Sequence, residues 1–200
     1  MKLNGYKLIF IAMGLIGVLL IATPAIVGLI PRLPSQPQFS ELYLLGPNNT
    51  AQNYLSNVVP GQNYTVYVGV GNQLGSSGYY VLYVKLGNET DQMPNATLGT
   101  PSALTPLYEY RFSIENGANW ESLLTFSVSS ASISGNNSQI NTLKLNGITF
   151  NVDKPAIWDS NSTTFTCRLL FELWLYNSQS SVISYNNRFV DLQLNLTRTA

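Results

Sequence analysis

The sequence predicts an all-β domain of the β-sandwich type, preceded by one N-terminal transmembrane helix. Three observations support this. Residues 8–30 contain no charged side chain. After Gln38 the apolar residues recur with a period of two, which is typical of half-buried strands. An Asn-Gly pair at 146–147 separates two alternating runs, and such a pair is the strongest short signal of a β-hairpin.

The uncharged segment Leu8–Ile30 is 23 residues long, and about 20 residues suffice to cross a bilayer. Lys2 and Lys7 precede it, so we expect a cytoplasmic N-terminus and an extracellular portion from residue 33 to residue 200. A cleaved signal peptide is the alternative, because Leu8–Ala22 has the length of its apolar core. The continuation of the apolar run to Ile30 favours an uncut anchor that contacts the lipid bilayer.

The chain therefore divides into an anchor or signal segment (1–31), a spacer with two of its seven residues proline (32–38), and an extracellular domain (39–200). Proline-rich spacers are extended and stiff. The predicted strands of the domain include 41–45, 64–70, 80–86, 108–114, 124–128, 143–145, 148–152, 165–176 and 190–196. Strands this short and evenly spaced indicate an immunoglobulin-like sandwich. The run 165–176 is apolar on alternate positions over its whole length, so it is expected to be a central strand.

Composition excludes several kinds of chemistry. The chain of 200 residues has no His and one Cys, so imidazole catalysis, His-ligated metals, an internal disulfide and Cys-based zinc sites are absent. The formal net charge is zero, which argues against nucleic-acid binding. No paired-carboxylate, nucleophile or dinucleotide motif stands out, so we expect no enzyme, no cofactor and no metal site. Gly69 and Gly71 are expected to mark a bulge or an edge, and Cys167 a buried thiol.

Asn-x-Ser/Thr sequons occur only in the portion expected outside the cell. Attached glycans there would be bulky and outward-facing. The alternative interpretation is that these are ordinary turn asparagines. The predicted glycosylation sites are Asn48, Asn63, Asn88, Asn95, Asn136, Asn161 and Asn195.

The aromatic residues are the best interaction candidates, since interfaces favour Trp and Tyr. Packing within the sandwich is the favoured explanation for most of them. The candidates are Trp120, Trp158, Trp174 and Tyr176; the last two lie opposite the apolar face of the predicted central strand.

Residues 39–48 (FSELYLLGPN) and 59–72 (VPGQNYTVYVGVGN), with 170–174 (LFELW), resemble the DUF1616 family. The resemblance covers most of residues 39–176. It implies an archaeal membrane protein of unknown function with an external β-sandwich, and it supplies no catalytic residues. Family members often have several membrane spans, whereas this chain has one predicted span.

Only 10% of the residues are charged, and residues 39–200 carry a net charge of −3. A charge-poor exterior without disulfides is consistent with an acidic habitat, where carboxylates are protonated. We therefore expect a non-catalytic glycoprotein of the cell envelope, a structural or accessory subunit that associates with other membrane proteins or with copies of itself. A surface-filament subunit and a carbohydrate- or peptide-binding module are the alternatives.

Overall fold

The computed structural model describes residues 4–29, 37–52, 54, 57–134, 137–160 and 163–196. The chain separates into two compact units, Met1–Pro37 and Gln38–Ala200. The first contains one helix, α1 (Asn4–Leu29), whose side chains are described at positions 6, 7 and 9–19. Among the described residues, no helix combines the length and the apolarity of a membrane crossing.

The second unit is all-β. Its strands, in chain order, are β1 (Phe39–Leu45), β2 (Asn57–Val58), β3 (Tyr64–Gln73), β4 (Gly78–Gly87), β5 (Tyr108–Ile114), β6 (Asn119–Ser134), β7 (Asn137–Leu145), β8 (Ile148–Asp159), β9 (Thr164–Asn177) and β10 (Val182–Leu196). The prediction of an all-β domain is thus confirmed.

The ten strands of the described chain form one curled sheet with two halves. Layer A has the order β1-β3-β6-β7-β8, and layer B has the order β5-β4-β9-β10-β2. Strand β8 joins them, because residues 148–156 pair with β7 whereas Ile157–Asp159 pair with β9. All the pairings are antiparallel except the short one between β2 and β10.

One hydrophobic core lies between the two layers. Layer A contributes alternate residues of β3, β6 and β7, and layer B contributes alternate residues of β4, β9 and β10. Their side chains are almost wholly removed from water, which is the main favourable term in folding. The largest fully buried members include Tyr80, Phe126, Leu143, Leu169, Phe171 and Leu194.

The sequence located the main strands and the hairpin turn correctly. Asn146 and Gly147 have φ values of 47° and 86°, as a type I′ turn requires. Strand β9 is central, as predicted, and pairs with β4, β8 and β10. The expectation that Gly69 and Gly71 mark a bulge or an edge is wrong, because β3 pairs on both sides without a register shift.

Candidate functional site

A groove lies where an outer strand of layer A faces β10 of layer B. Among the described residues, strand β1 pairs only with β3, and no strand pairs with its other edge. The groove has a volume of 760 Å³, within the range of ligand and peptide sites. Its lining residues are Glu41, Leu42, Tyr43, Leu44, Leu45, Ala51, Tyr54, Asn119, Val190, Asp191, Leu192 and Gln193. Consecutive residues of both strands line it, so the groove exposes strand edges as well as side chains.

Backbone hydrogen bonds define which residues of β1 face the groove. The N–H and C=O of Asn72 bond to Ala118 and Gly117, on the side of β3 away from β1. Asn72 lies opposite Ser40, so Ser40 must direct its own backbone groups away from β3. Because these directions alternate along an antiparallel strand, Leu42 and Leu44 also direct their N–H and C=O toward the groove.

The backbone carbonyl groups of Ser40, Leu42 and Leu44 thus point away from β3. Side chains donate hydrogen bonds to two of these three carbonyls. Arg188 Nε donates to the carbonyl oxygen of Ser40 at 2.9 Å, and Tyr54 Oη donates to that of Leu44, also at 2.9 Å. Between them, the N–H and C=O of Leu42 have no partner among the residues that the structure describes. An unpaired donor and acceptor on a strand edge form a template for another strand.

The opposite wall is a second free edge. Strand β10 pairs with β9 along its length, and β2 covers only Asn195 and Leu196 on its other edge. Within the described chain, no strand pairs with Val190–Gln193 on that edge. The short parallel pairing with β2 shows that this edge accepts a strand.

Carboxylates lie at the rim of the groove. Glu41 is exposed and forms no ion pair with any described residue. Tyr43 donates to Glu121 at 2.8 Å. Burial, together with this hydrogen bond and the nearby negative charge, raises the pKa of Tyr43 to about 12. Asp191 is paired with Arg168 at 3.2 Å.

A buried ion pair lies elsewhere, on the face of layer B that points away from the core. Lys85 Nζ is 2.7 Å from Glu172 Oε2, and both side chains are inaccessible to solvent. Ser102 covers the pair: its backbone N–H and its hydroxyl donate to Glu172 Oε1, and its carbonyl and hydroxyl oxygens accept from Lys85. Every charge is therefore compensated, and the arrangement fixes the segment around Ser102 against the sheet.

Trp174, one of the predicted interaction residues, packs on this same outer face. Its ring contacts Tyr83 and Tyr185 edgewise or tilted, at centroid distances of 5.6 Å and 6.1 Å. Trp174 Nε1 and Tyr185 Oη are buried and have no hydrogen-bond partner within the described part of the chain. Burial and the nearby charge of Glu172 raise the pKa of Tyr185 to about 12. Tyr176, at 40% exposure, lies edge-on to Tyr79.

The other two tryptophans lie apart from each other. Trp120 stacks face to face on Phe112 at a centroid distance of 3.7 Å and packs against the core, so that face of its ring is covered. Trp158 is 49% exposed and borders a second groove, of 520 Å³, with Gln139 and Pro155. The structure therefore does not combine Trp120 and Trp158 in one site.

The predicted sequons differ in accessibility. Asn48, Asn63 and Asn95 are exposed, and Asn195 is partly buried, with its Nδ2 directed to Asn57 Oδ1. Asn88 is 4% exposed, and its Nδ2 donates to the carbonyl oxygen of Pro155 at 3.0 Å. Asn88 thus follows the end of β4, at a strand end as predicted, but its amide group is not exposed. Asn136 and Asn161 lie outside the described residues.

Cys167 is fully buried in the core, and burial raises the pKa of its thiol to about 12. No group of three or more acidic or thiol side chains suited to a metal ion occurs in the part of the chain that the structure describes.

Sequence reasoning missed Tyr54, Arg188 and the Lys85–Glu172 pair. A signal existed for the pair, because each charge interrupts a strand that is apolar on both sides, and an isolated charge in such a strand needs a partner. Nothing local to Tyr54 or Arg188 indicates a bond to β1, which depends on how the layers pack.

The fold and this groove define an all-β protein with a strand-edge groove between its layers. The chain belongs to the DUF1616 family, described as a domain of unknown function, whose model matches residues 33–164. No curated protein matches.

Solved structures with similar chain paths are distant in sequence. A β-glucosidase from Listeria innocua in complex with gluconolactone is 10% identical with a TM-score of 0.40, and the match covers 80% of this chain and 16% of that one. The CARDB domain of the PF1109 protein from Pyrococcus furiosus, in complex with di-metal ions, is 11% identical with a TM-score of 0.37. That match covers 83% of this chain and 94% of the CARDB domain chain. Spo0M, a sporulation control protein from Bacillus subtilis, is 11% identical with a TM-score of 0.37, and the match covers 81% of this chain and 50% of that one.

Proposed function

We propose that this protein is a non-catalytic, membrane-anchored and N-glycosylated protein of the cell envelope, a structural or accessory subunit of a surface or membrane assembly. The observation that carries the proposal is the groove between β1 and β10. Two free strand edges and apolar side chains line it, as suits contact with another polypeptide. The β-domain is, in this proposal, an extracellular sandwich of the immunoglobulin-like kind.

The anchor is proposed from the sequence and from α1. The uncharged run Leu8–Ile30 has the length of a bilayer crossing, and Lys2 and Lys7 give it a cytoplasmic N-terminus. Phe10, Ile11 and Met13 are each more than 60% exposed. Exposed apolar side chains of this kind are stable in lipid.

The proposal is tested on native protein extracted gently from the membranes of the source cells. Mass spectrometry should find an intact N-terminus, glycans on several sequons and stoichiometric partner proteins. Alkaline carbonate should leave the chain in the membrane pellet, and protease added to intact cells should reach the β-domain. A chain that is released by carbonate, or that is recovered without any partner, contradicts the proposal.

A second candidate function is recognition of a sugar at Trp158. Its ring is half-exposed beside Gln139 and Pro155, and exposed tryptophans present a flat apolar face. Titration of the chain with envelope oligosaccharides should quench tryptophan fluorescence, and Trp158→Phe should remove the change. Trp120→Phe is the matched control, because that ring is covered by Phe112 on one face.

An acidic habitat is a further part of the proposal, supported by the low charge of the domain. The glycosylated native protein should keep its circular-dichroism spectrum at pH 3. Loss of the spectrum at that pH contradicts this part alone.

A further inference from the structure

We propose that the groove between β1 and β10 binds an extended segment of a partner protein, which pairs as an added strand with the free edge of β1. This inference rests on the proposed role as an assembly subunit and names the contact. Leu42 lies at its centre, since its N–H and C=O point into the groove without a partner among the described residues. An added strand would satisfy both groups, as in other cases of recognition by β-augmentation.

The side chains of the groove specify an apolar segment. Leu42, Leu44 and Leu45 line one wall, and Val190 and Leu192 line the other. Since successive side chains of a strand point to opposite faces, the segment should carry apolar residues at alternate positions. Strand β1 has seven residues, so a segment of about seven residues would match its length.

The charges of the rim specify a basic segment. Neither Glu41 nor Glu121 forms an ion pair with a described residue. Glu121 accepts a hydrogen bond from the neutral hydroxyl of Tyr43. Of the cations near the groove, Arg168 pairs with Asp191, and Arg188 donates to the carbonyl oxygens of Ser40 and Asn187 and not to Glu41. A lysine or arginine on the occupant would therefore meet uncompensated carboxylates.

A foreign partner fits these requirements better than a second copy. Outside the groove, the described fold has a further free strand edge at β5, at the end of layer B. Its basic residue, Arg111, is already held by Glu109 at 2.7 Å. A copy of this chain would thus bring no uncompensated positive charge on that edge.

Tyr54 partly closes the groove. Its hydroxyl occupies the carbonyl of Leu44, which an added strand would use. Binding of a strand therefore replaces this bond, and removal of the hydroxyl should favour the strand. The groove accordingly offers one variant that weakens binding and one that strengthens it.

The test uses the full chain in detergent micelles and an acetylated, amidated eight-residue peptide in which valine alternates with threonine and lysine. Hydrogen exchange at the Leu42 amide, followed by NMR, should slow at least about tenfold at saturation. The same peptide with N-methylated backbone amides should give no protection. The peptide with glutamate for lysine should bind about tenfold more weakly at low salt.

Substitutions at Leu42 and Tyr54 test whether the added strand pairs with β1. Leu42→Pro removes the outward N–H without removing a β1–β3 bond and should abolish binding, whereas Leu42→Ala, which loses the same side chain, should keep most of it. Tyr54→Phe should tighten binding by about threefold. Circular dichroism checks that each variant is folded, and if Leu42→Pro is unfolded, the N-methylated peptide decides the question.

The inference is overturned if the Leu42 amide is unprotected at about 1 mM peptide, or if the N-methylated peptide protects it equally. Protection that appears without peptide and rises with protein concentration would identify a second copy as the occupant and contradict a foreign partner. If partners co-purify with the native chain but the peptide does not bind, the groove assignment fails while the assembly role stands.

Discussion

Tyr43 lies directly opposite Gly69 on the neighbouring strand, and its ring covers the position where a side chain would begin. A Cβ built on Gly69 would overlap two atoms of the Tyr43 ring. This close approach explains a glycine inside a strand that is paired on both sides. It also positions the Tyr43 hydroxyl against Glu121, beside the groove.

The first prediction concerns this pair. Gly69→Ala should destabilise the domain by about 1–3 kcal/mol, because the ring must leave its place. Tyr43 should then lose its hydrogen bond to Glu121, and the pKa of Tyr43 should fall from about 12 toward the usual 10. Thermal unfolding and tyrosinate absorbance report the two effects.

The sign of the pH effect follows from the raised pKa. Tyr43 stabilises the native state fully below pH 10, and this contribution disappears as the pH rises from 10 to 12. The variant should show a weaker loss over that window. Tyr43→Ala with Gly69→Ala is the control, since the second change should cost little once the ring is absent. If Gly69→Ala lowers the unfolding free energy equally in the wild type and in Tyr43→Ala, the Tyr43 ring is not the cause of the destabilisation.

The second prediction concerns the buried ion pair. Lys85→Met leaves Glu172 buried with Ser102 alone and should cost about 3–5 kcal/mol of unfolding free energy. Replacing both members, as in Lys85→Met with Glu172→Leu, should cost less than the single change. Glu109→Gln breaks an exposed pair and should change stability by less than about 0.5 kcal/mol. Similar costs for Lys85→Met and Glu109→Gln would contradict the burial of the pair. Denaturant unfolding measures all three.

The third prediction concerns Cys167. Its burial and raised pKa should make the native thiol unreactive toward maleimide at pH 7. One equivalent should react after unfolding in guanidinium, because the chain has one cysteine. Rapid labelling of folded protein would place this strand outside the core.

The fourth prediction concerns glycosylation. Asn88 Nδ2 donates to Pro155, and Asn88 Oδ1 accepts from Thr90, so the folded domain presents no free amide there. Glycopeptide mass spectrometry should find Asn88 unmodified and glycans at Asn48 and Asn95, which are exposed. A glycan on Asn88 would require modification before folding and a different packing of that loop.

The strands and turns that follow from a local residue pattern could be predicted from the sequence. Features that depend on how the two layers pack could not. Alternation located β5 at Tyr108–Ile114, and the Asn146-Gly147 turn followed from the positive φ that such a turn needs. Strand β2, with two residues, has no periodicity to detect. The groove could not be foreseen, because it arises where β1 and β10 come together from opposite ends of the domain.

The central claim is that this chain joins an assembly through the free edge of β1. The most direct measurement is the size, by native electrophoresis, of the complex extracted from source membranes that carry the wild type, Leu42→Ala or Leu42→Pro. We predict that the wild type and Leu42→Ala migrate in one large complex, and that folded Leu42→Pro migrates alone. A Leu42→Pro chain in a complex of unchanged size would contradict the claim.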